Sequence, residues 1–157
     1  RDAVIWSFYY PPVLGGADLE RLNGMGSRGE SLSRAAEMLS AGQVDAAKPL
    51  VDEAIKANPK DPLALSLASV IQTAENNTGE ATRLAGEAMA ADPASPAAAL
   101  AGSFAAQAVF DVRKASELAE KAAQLDPKNA TALARAAGGF WVLSALVRYA
   151  HSAVIPE

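Results

Sequence analysis

The chain has 157 residues, of which 50% are apolar and 20% charged, with a net charge of -4, enough apolar material for one domain with a real core. Lys and Arg are scattered singly, so no basic stripe exists to neutralise a phosphate backbone, which argues against a nucleic-acid partner. With no cysteine and a single histidine, His151, the sequence cannot build a thiolate zinc site, a disulfide framework, or a nucleophilic dyad that needs Cys or several histidines.

The chain opens on Arg1 and reads as a processed product or part of something longer. From Ala3 to Val13 the run AVIWSFYYPPV concentrates aromatic residues in an extended segment stopped by Pro11-Pro12 and Gly15-Gly16. As a strand it puts Trp6, Phe8 and Tyr10 on one side and Ile5, Ser7 and Tyr9 on the other. Such an arm exposes a large apolar face that something must cover, and Ile5, Trp6, Phe8, Tyr9 and Tyr10 are the candidate assembly contacts. Residues 1–27 are therefore read as an extended aromatic arm and linker. Gly24, Gly26 and Gly29 share only glycine content with a phosphate loop, since the lysine is missing, and read as a hinge.

Beyond residue 27 the sequence repeats. Asn58-Pro59, Asp92-Pro93 and Asp126-Pro127 each follow the last by 34 residues, and each closes a similar phrase. Ala47, Ala81 and Ala115 form one register of small residues and Ala54, Ala88 and Ala122 another, as close helix packing requires. Asp61-Pro62 and Ser95-Pro96 place a capping side chain before a proline at the first helical position, and Asn129 caps the next unit. The spacing predicts helices over 29–41, 44–57, 62–74, 79–91, 96–108, 112–125 and 130–150, with Pro49 early enough in its helix to be tolerated.

The 34-residue period, paired helices, alanine registers and closing proline resemble the tetratricopeptide-repeat family. The first unit is closest, with Ala35, Met38, Gly42, Ala47, Val51, Ala54 and Pro59 at the family's positions. The later units depart from it: Asn76 and Phe110 stand where the turn glycine is usual, and Ala85 and Ala119 replace a bulky residue. The resemblance implies an all-α, right-handed superhelical solenoid over 28–157, in units of about 28–61, 62–95 and 96–129 with a partial unit 130–157. More weakly, RDAVIWSFYYPP resembles the segment joining a FecR-type domain to such repeats in bacterial envelope proteins. That likeness implies an extracytoplasmic setting, with the cytoplasm as the alternative.

The last stretch, GGFWVLSALVRYAHSAVIPE, puts Phe140, Trp141, Val142, Leu143, Leu146, Val147 and Tyr149 on nearly every side of a helix, which must then be buried by a further helix or another molecule. Ala136 to Val147, between two arginines, is too short to span a membrane.

By the resemblance, the concave face carries Leu32, Ala36, Leu39, Leu63, Ser66, Val70, Leu100, Phe104, Gln107 and Trp141, none a cation, so a clamp for an acidic peptide terminus is excluded. The apolar members, Leu32, Leu39, Leu63, Val70, Leu100, Phe104 and Trp141, either line a groove for an apolar segment or pack within and between hairpins. The remaining features read as ordinary surface: His151 has no second ligand at helical spacing, and the pairs Asp18 with Glu20 and Asp52 with Glu53 are solvated charges. Asn76 and Asn129 fit the glycosylation triplet at predicted turns.

The sequence thus predicts no catalytic, cofactor or metal residues and a non-enzymatic scaffold acting on protein: a homo-oligomer or filament built through the arm and the apolar C-terminal helix. The alternatives are a monomeric adaptor for an apolar peptide and an accessory domain of a larger enzyme.

Overall fold

A computed structural model describes residues 12–138. Eight helices make up the described chain: α1 Gly16–Asn23, α2 Ser27–Ser40, α3 Val44–Ala57, α4 Pro62–Ala74, α5 Thr78–Ala91, α6 Pro96–Ala108, α7 Val112–Leu125 and α8 Ala130–Ala136. Among the described residues there is no strand, and each helix packs on its sequence neighbours. Helix α4 also packs on α6, one unit further on, so the hairpins α2–α3, α4–α5 and α6–α7 stack as a helical-repeat solenoid.

The three hairpins repeat atom by atom. Each first helix ends at a residue in the left-handed region, Gly42 (φ 76°), Asn76 (φ 62°) and Phe110 (φ 60°). The next amide then reaches back to the helix: Gln43 N–H to Met38 O, Asn77 N–H to Gln72 O and Asp111 N–H to Ala106 O, at 2.8, 2.8 and 2.9 Å. Each second helix ends in an Asx-Pro turn, where Asn58, Asp92 and Asp126 accept the backbone N–H two residues on at 3.2, 3.0 and 3.1 Å. The following helix starts under a side-chain cap. Asp61 accepts from Leu63 and Ala64, Ser95 from Ala98, and Asn129 from Ala132.

In each hairpin the two helices carry small buried residues at equivalent positions, Ala35 and Ala47, Ser69 and Ala81, and Ser103 and Ala115. In the last two the serine hydroxyl donates across the contact, to Ala81 O at 2.8 Å and to Ala115 O at 2.7 Å. A hydroxyl spans that gap only where the backbones lie close, so the registers are contact points. The inner helices α4 and α6 carry no charge and are buried on nearly all sides. Pro49 leaves α3 unbroken.

Two expectations need correction. The helix predicted over 130–150 stops at Ala136, because the chain turns through Gly138 at φ 93°, a conformation glycine adopts freely; residues 139–157 lie outside the described residues. The segment up to residue 27 is also more than a linker. Its residues 16–23 form α1, whose Leu22 is fully buried with Val13 and Leu14 in the main core. Gly29, read as part of a hinge, is the point where α1 crosses α2: a Cβ there would lie 1.8 Å from Leu22 O.

Two stability changes follow. Ala88 has no exposed surface, so Ala88→Leu should lower unfolding stability by about 1–3 kcal/mol through overpacking; urea unfolding with an unchanged midpoint would disprove the contact. Phe110 holds a left-handed conformation with 79% of its surface exposed, so its side chain gains little burial against the backbone strain. Phe110→Gly should raise stability by about 1 kcal/mol in the same measurement, and a lower midpoint would show that the ring holds the turn.

Candidate interaction surfaces

Leu32, Leu39, Leu63, Val70, Leu100 and Phe104 belong to one core cluster, and none exceeds 5% exposure. The inner helices bring them together as packing. In this structure they are not an open groove. Ser66 is fully buried as well, its hydroxyl donating to Pro62 O at 2.6 Å. Trp141, His151 and the arm residues Ile5, Trp6, Phe8, Tyr9 and Tyr10 lie outside the described residues.

A cation does reach the inner row, from a position outside the ten considered. Arg135 of α8 lays its guanidinium 4.2 Å from the centroid of Phe104. The same guanidinium donates to Ser103 Oγ at 3.1 and 3.3 Å and to Gln107 Oε1 at 2.9 Å. Because the Ser103 hydroxyl proton is already given to Ala115 O, its lone pairs are free to accept. The fourth unit is thereby tied to the third.

The stronger surprise is the edge formed by the turns between units. The N-terminal segment runs along it as a strap. At the first turn Arg28 of α2 lies 4.0 Å from Asp61, and at the second Arg21 of α1 pairs with Asp92 at 2.9 Å. At the third, Gly15 approaches so closely that a Cβ would sit 2.4 Å from Asp126 Oδ2 and 2.9 Å from Asn129 Nδ2. Burying a Val or Leu contributes about 1.5–3 kcal/mol, whereas an exposed ion pair such as Arg21–Asp92 is worth about 0–1 kcal/mol. Val13, Leu14 and Leu22 therefore hold the strap, and the polar contacts set its register.

Asp18 is buried in this seam at 4% exposure, which corrects its reading as a solvated charge; Glu20, Asp52 and Glu53 are exposed as expected. Its carboxylate accepts Gly15 N–H at 3.1 Å. Burial pushes the Asp18 carboxyl above the ordinary carboxylate range, with Asp126 and Asp92 adding to the rise, while the Gly15 amide and Arg21 oppose it. Asp92 moves the other way, held below its ordinary value chiefly by the hydrogen bond from Arg21. Sequence periodicity gave no hint of Asp18, because α1 is too short to show a pattern; the leucines three apart and Arg21 in the last turn were the available signal.

Asn129 is equally buried and spends its Oδ1 on the α8 cap, so it is not presented for glycosylation in this structure, whereas Asn76 is exposed. Val109 and Phe110 stand exposed at the tip of the third hairpin, beside a shallow groove lined by Ala85, Met89, Gly102 and Leu118. Among the described residues, no three His, Cys, Asp or Glu side chains gather as a metal site, and no helix is long and apolar enough to cross a membrane. The sequence matches no family model and no curated protein.

Proposed function

We propose that the chain is a non-enzymatic scaffold of the tetratricopeptide type that associates with protein, assembling with copies of itself. The observation that carries this reading is the stack of hairpins with the same turn, cap and cross-helix contact in each, an architecture whose extended surface suits it to holding other chains. The strap adds a place for the arm to start. Because Leu14 and Gly15 lie at the seam of the third and fourth units, residues 1–11 leave from there and span at most ~36–40 Å if extended.

The burial of Leu63, Val70, Leu100 and Phe104 counts against an open groove awaiting a foreign peptide, and so favours assembly over the adaptor reading. The setting proposed is the bacterial envelope outside the cytoplasm, on the likeness of the first twelve residues and the absence of cysteine. In this scheme Trp6, Phe8 and Tyr10 reach a neighbouring copy, a head-to-tail contact that repeats into rings or filaments.

Because Val13 and Leu14 are core residues, the informative deletion removes residues 1–10 and leaves the strap intact. Sedimentation velocity from low to high micromolar concentration should show the full chain associating and the truncated chain staying monomeric. A full chain that remains monomeric throughout would refute self-assembly and leave the adaptor reading.

A further inference from the structure

The boundary between the second and third units departs from the pattern that the first boundary sets. Shifted by 34 residues, Val51, Ala68 and Ile71 become Ala85, Gly102 and Ala105, each smaller than its counterpart. The ion pair of Lys48 with Glu75, which bridges α3 to the end of α4, becomes Thr82 and Val109. The result is the shallow groove along α5, α6 and α7, floored by small residues and apolar where the first boundary carries its ion pair.

At one end of this groove stand Val109 and Phe110, 49% and 79% exposed. Phe110 is held at φ 60°, so the backbone carries strain to present an aromatic ring that buries little within its own chain. Strain without compensation inside the fold points to a partner outside it.

We propose that this groove and the Phe110 ring receive the aromatic arm of a neighbouring copy, with Trp6, Phe8 and Tyr10 laid along it. The proposal rests on the self-assembly reading above and names the surface that the arm meets. Length matches: Gly102 to Val109 covers about 11 Å of α6, and Trp6 to Tyr10 covers about 13 Å when extended. Charge matches as well. The groove's charged lining residues, Asp111 and Lys114, stand at the Phe110 end, and the arm's, Arg1 and Asp2, precede its aromatic run, so opposite charges meet when the arm points its first residues toward Phe110. The strap sets the direction of delivery. It advances along the stack from Asp92 at Arg21 to Asp126 at Gly15, toward the fourth unit and away from its own groove, which sends the arm to another molecule. A reach of ~36–40 Å covers the two helix spacings of about 8–10 Å between the first unit of a stacked neighbour and its groove.

Sedimentation velocity on full chains tests the assignment, with urea unfolding to confirm that each variant folds. Phe110→Gly, which relieves the strain, should weaken association at least ~10-fold. Thr82→Lys combined with Val109→Glu, both at exposed positions, copies the first boundary's ion pair onto the groove and should have the same effect. Because the chain lacks cysteine, a Ser7→Cys chain mixed with a Thr82→Cys chain and treated with a bismaleimide should give a cross-linked pair of the two variants. Folded groove variants that associate like an associating wild type would overturn this groove while leaving self-assembly through the arm in place. A wild-type chain that stays monomeric would overturn both readings. A Ser7→Cys/Thr82→Cys chain that cross-links within one molecule at low concentration would place the arm on its own groove and also overturn the proposal.

Discussion

The whole molecule depends on how closely two helix backbones can approach within a hairpin. Ser69 against Ala81 and Ser103 against Ala115 put nothing larger than a methyl or hydroxymethyl group at the contact, and the equivalent positions of the first hairpin are the buried Ala35 and Ala47. That closeness lets a three-residue turn connect the helices, and the turn then demands a left-handed residue at Gly42, Asn76 and Phe110. Glycine adopts the conformation without strain and asparagine tolerates it, whereas phenylalanine is forced into it by the helices on either side.

A second constraint acts across units. A stack of hairpins could vary in pitch, because each unit touches only its neighbours. Here the N-terminal segment touches the second and third turns, through Arg21 and Gly15, and so adds a contact that spans units far apart in sequence. Its apolar anchors supply the energy. Any activity that uses the residues before Pro12 starts from this fixed root.

The repeat was legible in the sequence because its determinants are local: proline after Asx, a cap before proline, and a small residue at each contact. Six helices from Ser27 to Leu125 lie within two residues of their expected bounds, and the caps at Asp61, Ser95 and Asn129 form as expected. The strap was not legible, because its partners are about 70 to 115 residues away and its signals are single residues. Gly29 reads as flexibility until Leu22 is placed against it, and Asp18 reads as solvated until the fold buries it. The apolar row from Leu32 to Phe104 left two readings open, groove or core, which hydrophobicity alone could not separate; tertiary burial makes it core in this structure.

The close hairpin contact is tested most directly by size substitutions at its serines, followed by urea unfolding. If Ser69 and Ser103 bridge touching helices, Ser→Ala at either site should cost about 1 kcal/mol for the lost hydroxyl bond. Ser→Leu should cost more, about 1–3 kcal/mol from overpacking in addition. The loss at Ser103 should be the larger, because its hydroxyl also accepts from the Arg135 guanidinium. A leucine accepted at both without loss of stability would contradict the close contact, since the helices would then lie too far apart for the repeat to be built as described.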